Sequence, residues 1–146
     1  MIKGVQGVTG IVIVSHGKFV NGILDSIRML IGTDVFDKIE SVILTETESV
    51  EGLTERIKKA IEKVRDEKGV LVLVDLFGGT PSRVASIIAL ENPDVQIVSG
   101  LNLPMLLQVL LNIDEDARNL AKIAVEAGKE GIIDIGEKIR KEVLKK

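Results

Sequence analysis

Gly10-Ile-Val-Ile-Val-Ser15, running into His16-Gly17, is a continuous β-branched run bounded by glycines and too short to be a helix. Val70-Leu-Val-Leu-Val-Asp75 is a second such run, Val95-Gln-Ile-Val-Ser99 a third, and Ser41-Val-Ile-Leu-Thr45 a weaker fourth. Runs without polar alternation suit strands covered on both faces, as in parallel sheets. Helical patterns separate them. Phe19, Ile23, Ile27 and Leu30 fall on one helix face, as do Leu53, Ile57, Ala60, Ile61 and Val64 further on. The side opposite the second set carries Glu51, Glu55, Arg56, Lys58, Lys59 and Glu62. A third helix is expected from about Pro81 to Leu90, its proline in the first turn where a missing N–H costs nothing. Two more are expected at 103–111 and 115–127. Alternation of strand and helix predicts an α/β layered domain with a mainly parallel, four-stranded open sheet. Gly131-Ile-Ile-Asp-Ile135 reads as a short fifth strand, followed by a charged helical tail over 136–146.

The 146 residues are the length of one domain, with no linker, repeat or low-complexity segment, so 1–146 is read as a single unit. Hydrophobic residues make up 45% and charged residues 28%, a globular balance. Nineteen Lys and Arg against 22 Asp and Glu give a net charge of −3, which argues against nucleic acid and anionic membrane as general partners. Without cysteine there is no thiolate nucleophile, disulfide or Cys-type zinc site. One histidine excludes a multi-His metal site, and no cation cage is apparent, so neither metal nor cofactor is expected. The lack of Trp and Tyr leaves little for stacking on a flavin or a base. No stretch reaches the ~20 apolar residues of a membrane span, and a cytoplasmic location is expected.

In open α/β sheets ligands bind at the carboxyl ends of the strands, where strand order reverses. Three loops arrive there: Ser15-His16-Gly17, Asp75-Leu-Phe-Gly-Gly-Thr-Pro81 and Ser99-Gly-Leu-Asn-Leu-Pro104. His16 sits where a strand ends and a helix begins, beside N–H groups that suit a phosphate, and a neutral imidazole is a competent nucleophile. Asp75 is either a turn cap or the partner that orients one imidazole nitrogen and leaves the other free. Gly78 and Gly79 permit positive φ and convergent amides. Thr80 either caps the next helix or offers its hydroxyl to a phosphoryl oxygen. Gly17 and Lys18 open the first helix beside the same crevice, and Asn102 supplies an amide at a rigid corner. The spacing matches neither Walker A nor Gly-x-Gly-x-x-Gly.

Taken together, Ile11-Val-Ile-Val-Ser-His16-Gly17, Val74-Asp-Leu-Phe-Gly-Gly-Thr-Pro81 and Ser99-Gly-Leu-Asn-Leu-Pro-Met-Leu106 resemble the three signatures of the mannose-type EIIA proteins of the sugar phosphotransferase system. The resemblance implies a doubly wound α/β phosphocarrier whose histidine, here His16, accepts a phosphoryl group on Nε2 from phospho-HPr and passes it to an EIIB component. It implies that Asp75 holds Nδ1 and that Thr80 lies beside the phosphate. It further implies a homodimer, with residues 132–135 as the candidate for a strand exchanged between subunits. Arg83 departs from the pattern, which has Asn there; it is read as a phosphate contact, a partner contact or a solvated charge. Alternatives are a regulatory EIIA-like phosphorylation sensor, a carrier serving a dihydroxyacetone kinase, a receiver-like module phosphorylated on Asp75 and a flavodoxin-like binding module. The receiver reading lacks carboxylates at the end of the first strand, and the Gly-Gly-Thr-Pro and Asn-Leu-Pro-Met motifs favour the sugar-transport branch over the kinase branch.

Overall fold

The computed structural model describes residues 7–145; Lys146, the last residue of the expected tail, and residues 1–6 lie outside the described residues. Four strands, β1 (Gly10–His16), β2 (Ile39–Leu44), β3 (Val70–Val74) and β4 (Val95–Ser99), form one sheet in the order β2-β1-β3-β4. All neighbours are parallel, with Ile11 opposite Ile39 and Leu71, and Val72 opposite Ile97. The described residues form six α-helices, α1 (Phe19–Ile31), α2 (Val50–Val64), α3 (Gly79–Glu91), α4 (Leu103–Leu111), α5 (Ala117–Glu130) and α6 (Ile135–Leu144), and α1 to α5 cover the sheet.

Strand alternation divides the core in two. Ile11, Ile13, Leu71 and Leu73 pack with Ile27 of α1, Leu106 of α4 and Leu120 of α5. Val12, Val14, Val72 and Val74 face Leu53 and Ile57 of α2 and Ile88 of α3. Burial on both faces is the physical reason the central strands read as unbroken apolar runs. Gly10 serves this packing by absence: a Cβ there would lie 2.1 Å from the Val64 carbonyl oxygen, so the end of α2 rests against bare backbone. Because β1 leads outward to β2 while β3 lies on its other side, the strand order reverses between β1 and β3. The crevice therefore opens above their carboxyl ends.

Several expectations need correction. On α1 the buried residues are Val20, Ile23 and Ile27, while Phe19 and Leu30 are exposed, so the helix is rotated from the expected stripe. β2 starts at Ile39, two residues early, and its polar Glu40 and Ser41 reflect an edge strand that is only partly covered. α3 begins at Gly79, which places Thr80 inside its first turn; no side chain caps it, so the capping role for Thr80 falls. The helix expected at 115–127 is α5, which Asp116 caps by accepting the Asn119 N–H at 2.8 Å. No fifth strand is present among the described residues of the single chain. Within one chain no neighbour supplies the hydrogen bonds that residues 131–135 would need, and Asp134 instead caps α6 through the Glu137 N–H at 3.0 Å. The helical tail does form, with all its apolar side chains exposed.

Candidate functional site

β1 ends at His16 and β3 one residue short of Asp75, and the crossing point brings the two together. Asp75 takes the His16 backbone N–H at 2.9 Å and the imidazole Nδ1 at 3.0 Å. An ionised carboxylate only accepts, so the bond places the ring proton on Nδ1 and leaves the Nε2 lone pair free. The side chains differ in exposure, 59% for His16 and 12% for Asp75, so the anchor is sheltered while the ring reaches solvent. Ser15, one residue back, points to the opposite face. Strand alternation buries it fully, and its hydroxyl has no hydrogen-bond partner among the described residues.

The glycine turn forms the second side. Gly78 has φ +105° and Gly79 φ +68°, conformations that a side chain would strain. The Gly78 N–H is spent on Ser82 Oγ at 3.0 Å, and Ser82 in turn donates to the Leu76 carbonyl at 3.2 Å. The Gly17 N–H is likewise engaged, with the Leu44 carbonyl at 3.3 Å. Open donors are therefore found one step further on, at the Gly79 and Thr80 amides in the first turn of α3, where a helix has no internal acceptors. Lys18 and Arg83 are exposed around this edge. Asn102 turns away from it: its Oδ1 accepts the Met105 N–H at 2.9 Å, and its Nδ2 donates to the Gly128 carbonyl at 3.2 Å, joining α4 to α5.

The third side was not anticipated. A cleft of about 330 Å³ is lined by His16, Leu44, Gly79, Thr80 and Pro81, and also by Thr45, Glu46 and Glu48 from the β2–α2 connection. Desolvation raises the Glu48 carboxyl, but the Thr45 N–H and the Arg56 guanidinium outweigh it and hold the group below the ordinary glutamate value. Ser82 was also missed; its signal is a hydroxyl four residues after a glycine that needs its amide satisfied. Among the described residues no group of three or more His, Asp or Glu could hold a metal ion, and no helix is long and apolar enough to cross a membrane.

What this arrangement can do is clear from its parts: present a nucleophilic nitrogen, stabilise positive charge behind it and receive an anion at a helix start. The chain is similar to known proteins. Residues 10–125 match the family model EIIA-man, described as the PTS system fructose IIA component. The mannose-specific EIIAB component of Escherichia coli K12 is 34% identical over 124 residues, which is 84% of this chain and 38% of that protein. The chain thus spans well under half the length of that relative. The fructose-specific EIIA component of Bacillus subtilis 168 is 33% identical over 100 residues, covering 68% of this chain and 67% of that one. The crystal structure of phosphotransferase system component EIIA from Streptococcus agalactiae superposes with a TM-score of 0.77 at 32% identity, over 88% of this chain and 98% of that one. A match across strands β1 to β4 and the helices between them makes this chain a member of the EIIA-man family of phosphotransferase-system IIA components.

Proposed function

We propose that the chain is a phosphoryl carrier in sugar uptake, a transferase that accepts a phosphoryl group from phospho-HPr on His16 and passes it to an EIIB component. The observation that carries this reading is the exposed imidazole whose Nδ1 is held by Asp75 at 3.0 Å while its Nε2 has no hydrogen-bond partner among the described residues. The Nε2 lone pair attacks the phosphorus of the donor's phosphohistidine in line. The new N–P bond forms as the donor's P–N bond breaks, and the leaving imidazole keeps the electron pair. The proton on Nδ1 stays facing Asp75, whose charge stabilises the ring as it becomes cationic. The Gly79 and Thr80 amides, with the Thr80 hydroxyl, receive the transferred oxygens. Gly17 and Gly78 are not donors, since their own amides are engaged. Transfer to EIIB runs the same steps in reverse, so positioning and electrostatics supply the rate.

Such a carrier works in the cytoplasm, between two soluble partners. A homodimer fits the same reading, because Ile132, Ile133, Ile135 and Ile139 lie exposed in the C-terminal segment, a surface that a second copy would cover. The direct test is intact mass after incubation with phosphoenolpyruvate, Enzyme I and HPr. One added phosphate that requires HPr, is lost in acid, survives base and leaves on adding EIIB is expected. No adduct, with HPr active on another EIIA, would overturn the reading. A base-labile adduct formed from acetyl phosphate and Mg²⁺ would move the acceptor to Asp75.

A further inference from the structure

We infer that the Arg56–Glu48 pair is a positioning element for phosphoryl transfer, fixing the β2–α2 connection as a rigid wall of the crevice opposite the Gly79–Pro81 turn. The inference rests on the phosphocarrier reading and extends it to residues that touch neither phosphate nor imidazole.

β2 is an edge strand, and beyond Leu44 the sheet no longer holds the chain. The connection to α2 nevertheless lines the cleft beside His16. Its anchor comes from nearly two helical turns into α2. Arg56 places Nη1 2.5 Å from Glu48 Oε1 and Nη2 2.6 Å from the Ile43 carbonyl oxygen, so one planar fork grips the connection at both ends. Glu48 Oε1 also accepts the Thr45 N–H and hydroxyl, each at 3.2 Å, which ties the middle of the segment to the same point. Leu44, between the gripped positions, is the register partner of His16 and accepts the Gly17 N–H. The fork thus acts on the backbone that flanks the acceptor. Arg56 is itself partly exposed, and exposed ion pairs add little to stability, so a large energetic role in folding is not what this geometry supplies. What it supplies is a fixed distance across the crevice. Lysine, a point charge on a flexible stem, would pair with Glu48 but not span to Ile43 as well.

The test is rapid-mixing transfer from phospho-HPr to the full chain, with Arg56→Ala, Arg56→Lys, Glu48→Ala and the Arg56→Ala/Glu48→Ala double variant, beside urea midpoints. Small misplacements at a reacting centre are costly, so each single variant is expected to lower kcat about tenfold while KM for HPr stays within about twofold. The double variant should be no slower than either single, because both remove one device. Arg56→Lys should be as slow as Arg56→Ala, while the ¹⁵N signals of the His16 imidazole stay those of wild type. Rates like wild type, a change in KM alone, or full recovery with lysine would overturn the positioning role. Should an alanine variant unfold, Arg56→Lys, which keeps charge and stem, carries the same comparison. Failure of the wild type itself to accept phosphate would overturn the carrier reading, and with it this one; normal labelling of wild type with unimpaired variants overturns the positioning role alone.

Discussion

The two ends of the sheet use charge in opposite ways. At the amino ends of the strands, Arg65 donates to Asp94, to Glu62 at 2.9 Å and to Asn92 at 3.2 Å, Lys38 sits 3.6 Å from Asp66, and Lys68 donates to the Asp114 carbonyl. The Asp94 hydrogen bond, against the cost of burial and with help from Glu62, holds the Arg65 guanidinium still more firmly protonated than usual. Each of these cations meets an oxygen on a different segment, and the result is stitching. At the carboxyl ends the Arg56–Glu48 pair braces the β2–α2 connection, but where β1 and β3 part, one carboxylate holds one ring that is 59% exposed and whose other nitrogen has no hydrogen-bond partner among the described residues. One end closes the fold and the other leaves an atom open. The comparison predicts that damage at the two ends will separate into loss of stability and loss of transfer.

The largest effect is expected from His16→Ala. Phosphoryl acceptance should vanish while the urea midpoint stays at the wild-type value; labelling of that variant would dissolve the contrast between the ends. Asp75→Asn comes next. Its amide oxygen can keep the His16 N–H, but it brings no negative charge to stabilise a cationic ring, and transfer should slow on the order of 10²-fold with the fold retained. An unchanged rate in stopped-flow transfer would reduce Asp75 to a structural cap. At the other end, Arg65→Ala should lower stability by about 1 kcal/mol, the pair being partly exposed, with the transfer rate unchanged. A slower rate in that folded variant would join the two ends that the geometry separates.

The smallest expected effect sharpens the boundary. Glu48 has a folded-state pKa below its ordinary value, so its stabilising contribution is full at neutral pH and is lost as pH falls through that lowered value. Glu48→Gln should therefore cost roughly 0.5 kcal/mol at pH 7, and the deficit should shrink toward zero in acid urea titrations. A deficit constant from neutral pH down to pH ~3, well below the ordinary glutamate range, would mean that the carboxylate charge is not what holds the connection.

Much of this is legible in the sequence, for reasons the residues make plain. β1 and β3 are readable because the sheet interior demands apolar residues, β4 because its edge run keeps Val95, Ile97 and Val98, and the placement of His16 and Asp75 because each ends a strand beside the reversal point. β2 was harder, since an edge strand mixes Glu40 and Ser41 with Ile39 and Val42. Arg56 looked like one more solvated charge on the polar face of α2, and only the tertiary fold brings its fork to Glu48 and Ile43. Ser82 hid in the same way, its hydroxyl satisfying a glycine amide across a turn. Whether the segment 131–135 pairs as a strand is not legible, because an apolar run carries no record of whether a neighbouring strand, in this chain or in a second copy, exists for it. Gly17 and Gly78 were recognisable as turn glycines, but where their amides donate depends on the Leu44 carbonyl and Ser82.

On the proposed mechanism Asp75 fixes the ring so that only Nε2 can react. The most direct measurement is ³¹P–¹⁵N correlation by NMR on protein labelled through HPr, with its imidazole ¹⁵N-enriched. Phosphorus coupled to Nε2 of His16, with Nδ1 still protonated, is the result expected. Phosphorus on Nδ1, the nitrogen that Asp75 occupies, would contradict it.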